Sequence, residues 1–337
     1  MIRRSQYPKM SAAFPRQSAY SAASSTAVQS GYFTAIGYGN GLFVAMNGVN
    51  GAEQSTCLTT PDGVVWNVRQ MPASLAWNGV AYGAGKWVAV ATAPGNTANT
   101  ICATSIDGVT WTANANMPAG QWRAVVWNPT LNLFVAICGG TVAYQMAATS
   151  PDGVVWTVRA LPSSGTWAAL AVGAQGVVVA TSLDGRVARS VDGITWTVVN
   201  APAGITSLAS VTWGKGLFVS WNSQANQVMS SADGITWTVK SIVHNGASGG
   251  KVVFAEGLFV VACLNAPYAF TSNDGINWFV RSSALALAVG GIAYGAGVVV
   301  YGSSTSSALF GLIYAENDTD SDYMFISGTA GKFVRVK

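Results

Sequence analysis

A seven-residue pattern, Ser/Thr-x-Asp-Gly-x-x-Trp, occurs six times in this chain, and its spacing constrains the fold more than any other feature. The copies run Thr60–Trp66, Ser105–Trp111, Ser150–Trp156, Ser190–Trp196, Ser231–Trp237 and Ser272–Trp278. Successive tryptophans lie 45, 45, 40, 41 and 41 residues apart. That is the period of a repeat array and falls in the range of propeller blades. Each repeat must then be one unit whose apolar faces are buried only by its neighbours.

The second repeat shows how a unit is built. Residues 78–82 and 86–91 are apolar runs around the turn Gly83-Ala84-Gly85, and the second run is continuous enough to be buried on both faces. A polar loop, 92–100, leads to a third strand at 101–104. Asp107-Gly108 turns the chain into a fourth strand beginning at 110–112. Asp-Gly between apolar runs is a hairpin signal, and it predicts a two-residue type I′ turn with positive φ at both residues. The first hairpin recurs seven times, at 36–45, 78–91, 125–136, 170–180, 211–220, 252–261 and 292–301. A seventh repeat therefore exists without the motif, with residues 308–314 as its third strand and Tyr323–Ile326 as its fourth.

Four short antiparallel strands repeated seven times, with no helical periodicity, predict an all-β fold: a seven-bladed β-propeller of four-stranded antiparallel blades. The alternative is six blades plus a C-terminal extension. Closure is left open: blade seven comes from the C-terminal end, or residues near Tyr32 add a strand to it. Residues 31–337 form the propeller in this reading. Residues 284–301 are apolar over a length sufficient to span a bilayer. They contain four glycines and align with the first hairpin of every other repeat, so they read as a buried hairpin, not a membrane insertion.

The motif resembles the Asp-box of BNR (sialidase-like) propellers, Ser-x-Asp-x-Gly-x-x-Trp, but lacks the residue between Asp and Gly in every copy. The resemblance covers about residues 33–282. It implies turns between the third and fourth strands of each blade, on the edge away from a ligand site. Physically, a turn aspartate accepts backbone N–H bonds, the hydroxyl adds a local bond, and the indole packs between blades. Six identical aspartates around a ring cannot all be catalytic. Asp62, Trp66, Asp107, Trp111, Asp152, Trp156, Asp192, Trp196, Asp233, Trp237, Asp274 and Trp278 are therefore read as structural. Arg69, Arg159, Lys240 and Arg281, each three residues after a motif tryptophan, are read as solvated ends of outer strands.

Composition limits the function. Hydrophobic residues make up 50% and charged residues only 9% of the chain, against about 25% charged in soluble proteins. Such a surface must be covered by Ser, Thr, Asn and Gly, or packed on other chains. A net charge of +4 from scattered basic residues gives no stripe for nucleic acid. Cys57, Cys102, Cys138 and Cys263 lack metal-ligand spacing, and His244 is the only histidine. Buried free thiols are the reading, with no metal and no cofactor. The acidic run 316–322 lacks the central Gly and terminal Glu of a calcium loop and reads as a solvated turn.

Glycoside hydrolysis needs two facing carboxyl groups. Outside the motif, only Glu53 and Asp184 occupy loops after a second strand. Glu256 falls in a turn on the other face. The arginines not explained by the repeat, Arg3, Arg4, Arg16, Arg123, Arg186, Arg189 and Arg335, are too dispersed to nominate a cluster. No catalytic residue is assigned. The loops opposite the Asp-Gly turns are the candidate binding face, with Asn96, Asn99, Trp221, Asn222, Gln224 and Asn226 as ligand-binding candidates. Trp77, Trp122 and Trp167 form another equivalent set, read as inter-blade core in preference to stacking platforms in the channel.

Residues 1–30 are rich in Ser and Ala, carry basic residues and no acidic one, and show no strand pattern. They read as an extended N-terminal docking arm, without the apolar core of a signal peptide. The repeat style, Gly-Leu-Phe-Val-Ala strands alternating with Ser-x-Asp-Gly-x-Thr-Trp-Thr turns, resembles propeller proteins of tailed-bacteriophage virions. That resemblance implies a non-enzymatic virion structural protein in a tail, fibre or surface decoration. Its arm would bind other virion proteins, and its ring would present a face to a host glycan or receptor. The alternative is a bacterial glycan-binding or sialidase-like glycan-hydrolysing propeller, at the cell surface or secreted.

Overall fold

The computed structural model describes residues 32–48, 54–63, 65–139, 143–222, 226–242, 248–264, 268–282, 289–303 and 309–313. Every regular element among them is a β-strand, apart from two single-turn 3-10 segments at Pro94–Asn96 and Ala174–Gly176. Each repeat of the sequence folds into one antiparallel blade, and seven blades result, the first two joined by a shared strand. Blade one contains Phe33–Gly39, Leu42–Asn47, Gln54–Thr60 and the first part of Asn67–Gly83. That long strand then changes partner. Its second part pairs with Lys86–Thr92 and becomes the inner strand of blade two. The inner strands of blades three to six are Trp122–Asn128, Trp167–Val172, Leu208–Gly214 and Ser248–Ala255. In blade seven, three strands are described: Val289–Gly295, Val298–Ser303 and Leu309–Ile313.

The core is distributed between the blades, as expected when no single sheet can cover its own faces. Seven hydrophobic clusters occupy seven blade-to-blade interfaces. Val44, Trp77, Trp87 and Trp111 lie between blades one and two, and Val88, Trp122, Phe134 and Trp156 between two and three. Three further clusters continue round to blade six. Val289, Val299 and Tyr301 meet Ala255 and Ala262 between six and seven. The ring closes where Phe33, Ile36 and Phe43 of blade one pack on Ala293 and Val300 of blade seven. No strand from the N-terminal side joins blade seven among the described residues, because Phe33–Gly39 pairs within blade one. The first two strands of residues 284–301 form the inner hairpin of blade seven. No described helix is long and apolar enough to cross a membrane.

The second strand of each blade is buried on both faces, which explains its unbroken Val, Ala and Phe content: in blade one, Phe43 to Met46 are fully buried. Neighbouring blades approach closely near the turn end of the inner strands. A Cβ on Gly83 would lie 2.0 Å from the Trp127 ring of the next blade, so only glycine fits there.

The Asp-Gly turns depart from the type I′ geometry expected of them. In the Asp-Gly turns only the glycine has positive φ, for example Gly153 at 71°. The connection spans about six residues, since Ser150 ends one strand and Thr157 begins the next. The type I′ geometry occurs instead between first and second strands. Asn40-Gly41, Ala84-Gly85, Lys215-Gly216, Glu256-Gly257 and Ala296-Gly297 all have positive φ at both positions. Both turn sets lie at the same end of the blades.

Candidate functional site

The structure places the aspartates of the repeat inside their own turns. In all six copies the Ser or Thr hydroxyl donates to the Asp Oδ1 at 2.8–3.0 Å. The same Oδ1 accepts backbone N–H bonds from following residues: Val109 and Thr110 for Asp107, Ile235 and Thr236 for Asp233. The Ser105 hydroxyl in turn accepts the Gly108 N–H at 2.8 Å, and the Trp111 indole donates to the Gly108 carbonyl at 3.1 Å. These carboxylates are spent on local structure. Arg69 and Arg159 likewise reach back along their outer hairpins to Thr59 and Thr149 hydroxyls.

The candidate binding residues divide by burial. Trp221 is fully buried and stacks on Phe270 with ring centroids 5.6 Å apart. Asn222 is fully buried too. Its Oδ1 accepts the Ser207 N–H and its amide donates to Gly204 and Gln227. Asn99 is buried, bonding Ala91 and Ile101. Asn96 is partly exposed, with positive φ, and its carbonyl accepts from Gln121. Asn226 is partly exposed with φ of 49°. None of these five described residues lines the cavity at the ring axis. Trp77, Trp122 and Trp167 are fully buried between blades. Asp184 occupies a tight turn, paired with Arg186 at 3.2 Å and accepting from Ser182. Gln224, Glu53, His244, Arg3, Arg4, Arg16, Arg335, residues 1–30, the 316–322 loop and Tyr323–Ile326 lie outside the described residues.

The four cysteines are buried and unpaired. Burial pushes the Cys57 thiol up to about 12 and Cys102 to about 11, which keeps both as inert packing groups.

What the fold assembles is an axial channel of about 240 Å³, walled by the inner strands of all seven blades. Each inner strand carries a bulge near its start, adding one residue against its partner strand. A bulge re-aims the side chains beside it. In blade three the extra residue is Arg123, between the paired positions Trp122 and Ala124. In blade six Lys251 closes the bulged stretch. Elsewhere the wall mixes small residues, such as Gly79, Ala168 and Gly291, with aliphatic ones, such as Ile36, Val125 and Leu170.

Arg123 and Lys251 thus line one channel from blades three and six, close enough for the Arg123 charge to act on Lys251. They are the only charged residues in the described lining, which contains no Asp, Glu, His, Cys or Tyr. Burial draws both cations down. Lys251 falls to about 8, with the nearby Arg123 charge adding to the effect of burial. The Lys251 ammonium donates to the Ala209 carbonyl at 2.7 Å. Arg123 makes no hydrogen bond or ion pair to the described residues. The polar neighbours are committed elsewhere: Asn78 bonds Thr92 and the Trp122 carbonyl, and Ser210 bridges to the backbone of Val252.

The channel sits toward the end of the blades opposite the Asp-Gly turns, level with the start of each inner strand. Sequence reasoning set Arg123 aside as unexplained and did not single out Lys251. Aligning the residue after Trp77, Trp122 and Trp167 gives Asn78, Arg123 and Ala168, a register in which Arg123 stands out.

Comparison with known proteins supports the architecture. A family model described as the DUF6242 beta propeller domain matches residues 107–250. No curated protein matches the sequence. Among solved structures, YCF48 bound to a D1 peptide superposes with a TM-score of 0.65 at 15% identity, covering 85% of this chain and 92% of that one. A catalytically inactive virginiamycin B lyase from Staphylococcus aureus with quinupristin gives 0.70 at 10% identity, covering 85% and 95%. A streptogramin B lyase gives 0.66 at 11%, covering 83% and 93%. At such identities the likeness is one of fold, and the chain is a β-propeller.

Proposed function

We propose that this chain is a non-enzymatic docking and recognition propeller, and that it serves as a structural component of a bacteriophage virion. The observation that carries the non-catalytic reading is the division of charge. The six motif carboxylates are committed to turns, while the described axis lining carries two cations and no carboxylate. Such an axis suits holding a ligand. Acid–base chemistry on a glycan would call for paired carboxyl groups. The peptide carried by the similarly folded YCF48 supports the view that a propeller of this shape can take a protein partner. The virion assignment rests on the repeat style and on the basic, acid-free segment 1–30 as a docking arm.

Two experiments test the reading. The full chain is expected to co-sediment with purified phage particles, and deletion of residues 1–30 to abolish that association. Turnover of a glycan substrate that is lost in Glu53→Gln or Asp184→Asn would instead establish a hydrolase.

A further inference from the structure

We infer that the ring axis binds a small oxyanion, a carboxylate, phosphate or sulfate, held between the Arg123 guanidinium and the Lys251 ammonium. The inference rests on reading the channel as a holding site and is independent of the virion assignment. Two like charges share a confined channel, and no carboxylate stands in the described wall to neutralise them. Arg123 and Lys251 are both partly buried, and withdrawing a cation from water without a counter-charge costs free energy. Nothing in the ring's construction requires that cost. Where blade three has Arg123, blades four, five and seven carry Ala168, Ala209 and Gly290; one position on, where blade six has Lys251, they carry Ala169, Ser210 and Gly291, and their bulges form equally well.

The donors fit the ligand. Arg123 offers a planar fork that matches two oxygens of an oxyanion, and none of its donors is used by the described residues. Lys251 spends one N–H on Ala209 and keeps two, approaching from another blade. Asn78 and Ser210 are tied to neighbouring blades and do not compete for the ligand. Level with the two cations, Ala168, Ala169, Ala209, Gly290 and Gly291 leave the space open. A bound oxyanion would also offset the Arg123 charge that, after burial, draws Lys251 down.

The test is titration of the full chain at pH 7 with sodium sulfate, phosphate or acetate, at ionic strength held constant with chloride. Binding is read by calorimetry and by thermal melting. One saturable site per chain is expected, and the anion that saturates it identifies the source as tetrahedral or carboxylate. Arg123→Gln and Lys251→Met should each weaken the affinity at least tenfold, while Lys240→Gln on an outer strand leaves it unchanged. The unmodified chain gives a second readout: the saturating anion should slow acetylation of Lys251 severalfold at pH 8 and leave Lys215 unaffected. A non-saturating effect shared with chloride, equal affinity in the channel variants, or unprotected Lys251 would overturn the site. Glycan turnover alongside intact anion binding would sink only the holding reading.

Discussion

Asp152 accepts three hydrogen bonds through a single carboxylate oxygen, from the Ser150 hydroxyl and from the N–H groups of Val154 and Val155. Donors of this kind favour the ionised form. At Asp192 burial works the other way, but the Thr195 and Ile194 N–H groups and the Ser190 hydroxyl outweigh it and bring the group down to about 2. Asp107 and Asp233 are lowered chiefly by the Thr110 and Ile235 N–H groups. A carboxylate lowered on folding contributes stability above its unfolded value of about 4, and loses it as pH falls through the folded value. Stability should therefore decline between about pH 4 and pH 2. In Asp192→Asn the decline should be shallower, read from tryptophan fluorescence in an acid titration; an identical slope would contradict the role of the turn. Ala84 offers a gain: it is exposed with φ of 47°, where an alanine is strained. Ala84→Asn should stabilise the ring by about 1 kcal/mol, measured by urea denaturation. At this scale the sequence was legible where side chains recur. It was not legible in the type I′ turns, because Ala84, Lys215, Glu256 and Ala296 are not residues that signal positive φ.

Blades are welded by the motif tryptophans. Trp66, Trp111, Trp156, Trp196, Trp237 and Trp278 each enter or flank a different inter-blade cluster, on the side facing the preceding blade. The interface between blades six and seven has none, because the seventh repeat lacks the motif. Trp156 is almost wholly buried, whereas Trp66 is partly exposed. Trp156→Ala should cost about 3–5 kcal/mol. Trp66→Ala should cost less, and the order is checked by denaturant midpoints. Strand order and the third strand of blade seven could be read from period and apolar runs. The Asp-Gly turn was misassigned because a dipeptide cannot reveal that the preceding Ser hydroxyl caps the Gly N–H and lengthens the connection. The fused strand Asn67–Gly83 was hidden for a similar reason: nothing in its composition marks where it changes partner.

The whole molecule is a ring, and its axis is the feature least visible in one dimension. Arg123 and Lys251 are far apart in the chain and share no motif; only closure places their strands around one channel. For the described candidate binding residues the direction of the side chain was not legible, because polarity in a loop says nothing about it. Asn222 and Asn99 turn inward and satisfy backbone groups. A closed ring differs from an open arc in having no free end. The packing of Phe33 and Ile36 on Ala293 and Val300 gives the terminal blades the same two-sided support as the middle ones. Native-state hydrogen exchange over residues 33–47 and 289–303, set beside 122–138, tests this most directly. The closed ring predicts comparable protection in all three segments. Exchange many-fold faster in the two terminal segments would contradict it, and with it the channel that depends on closure.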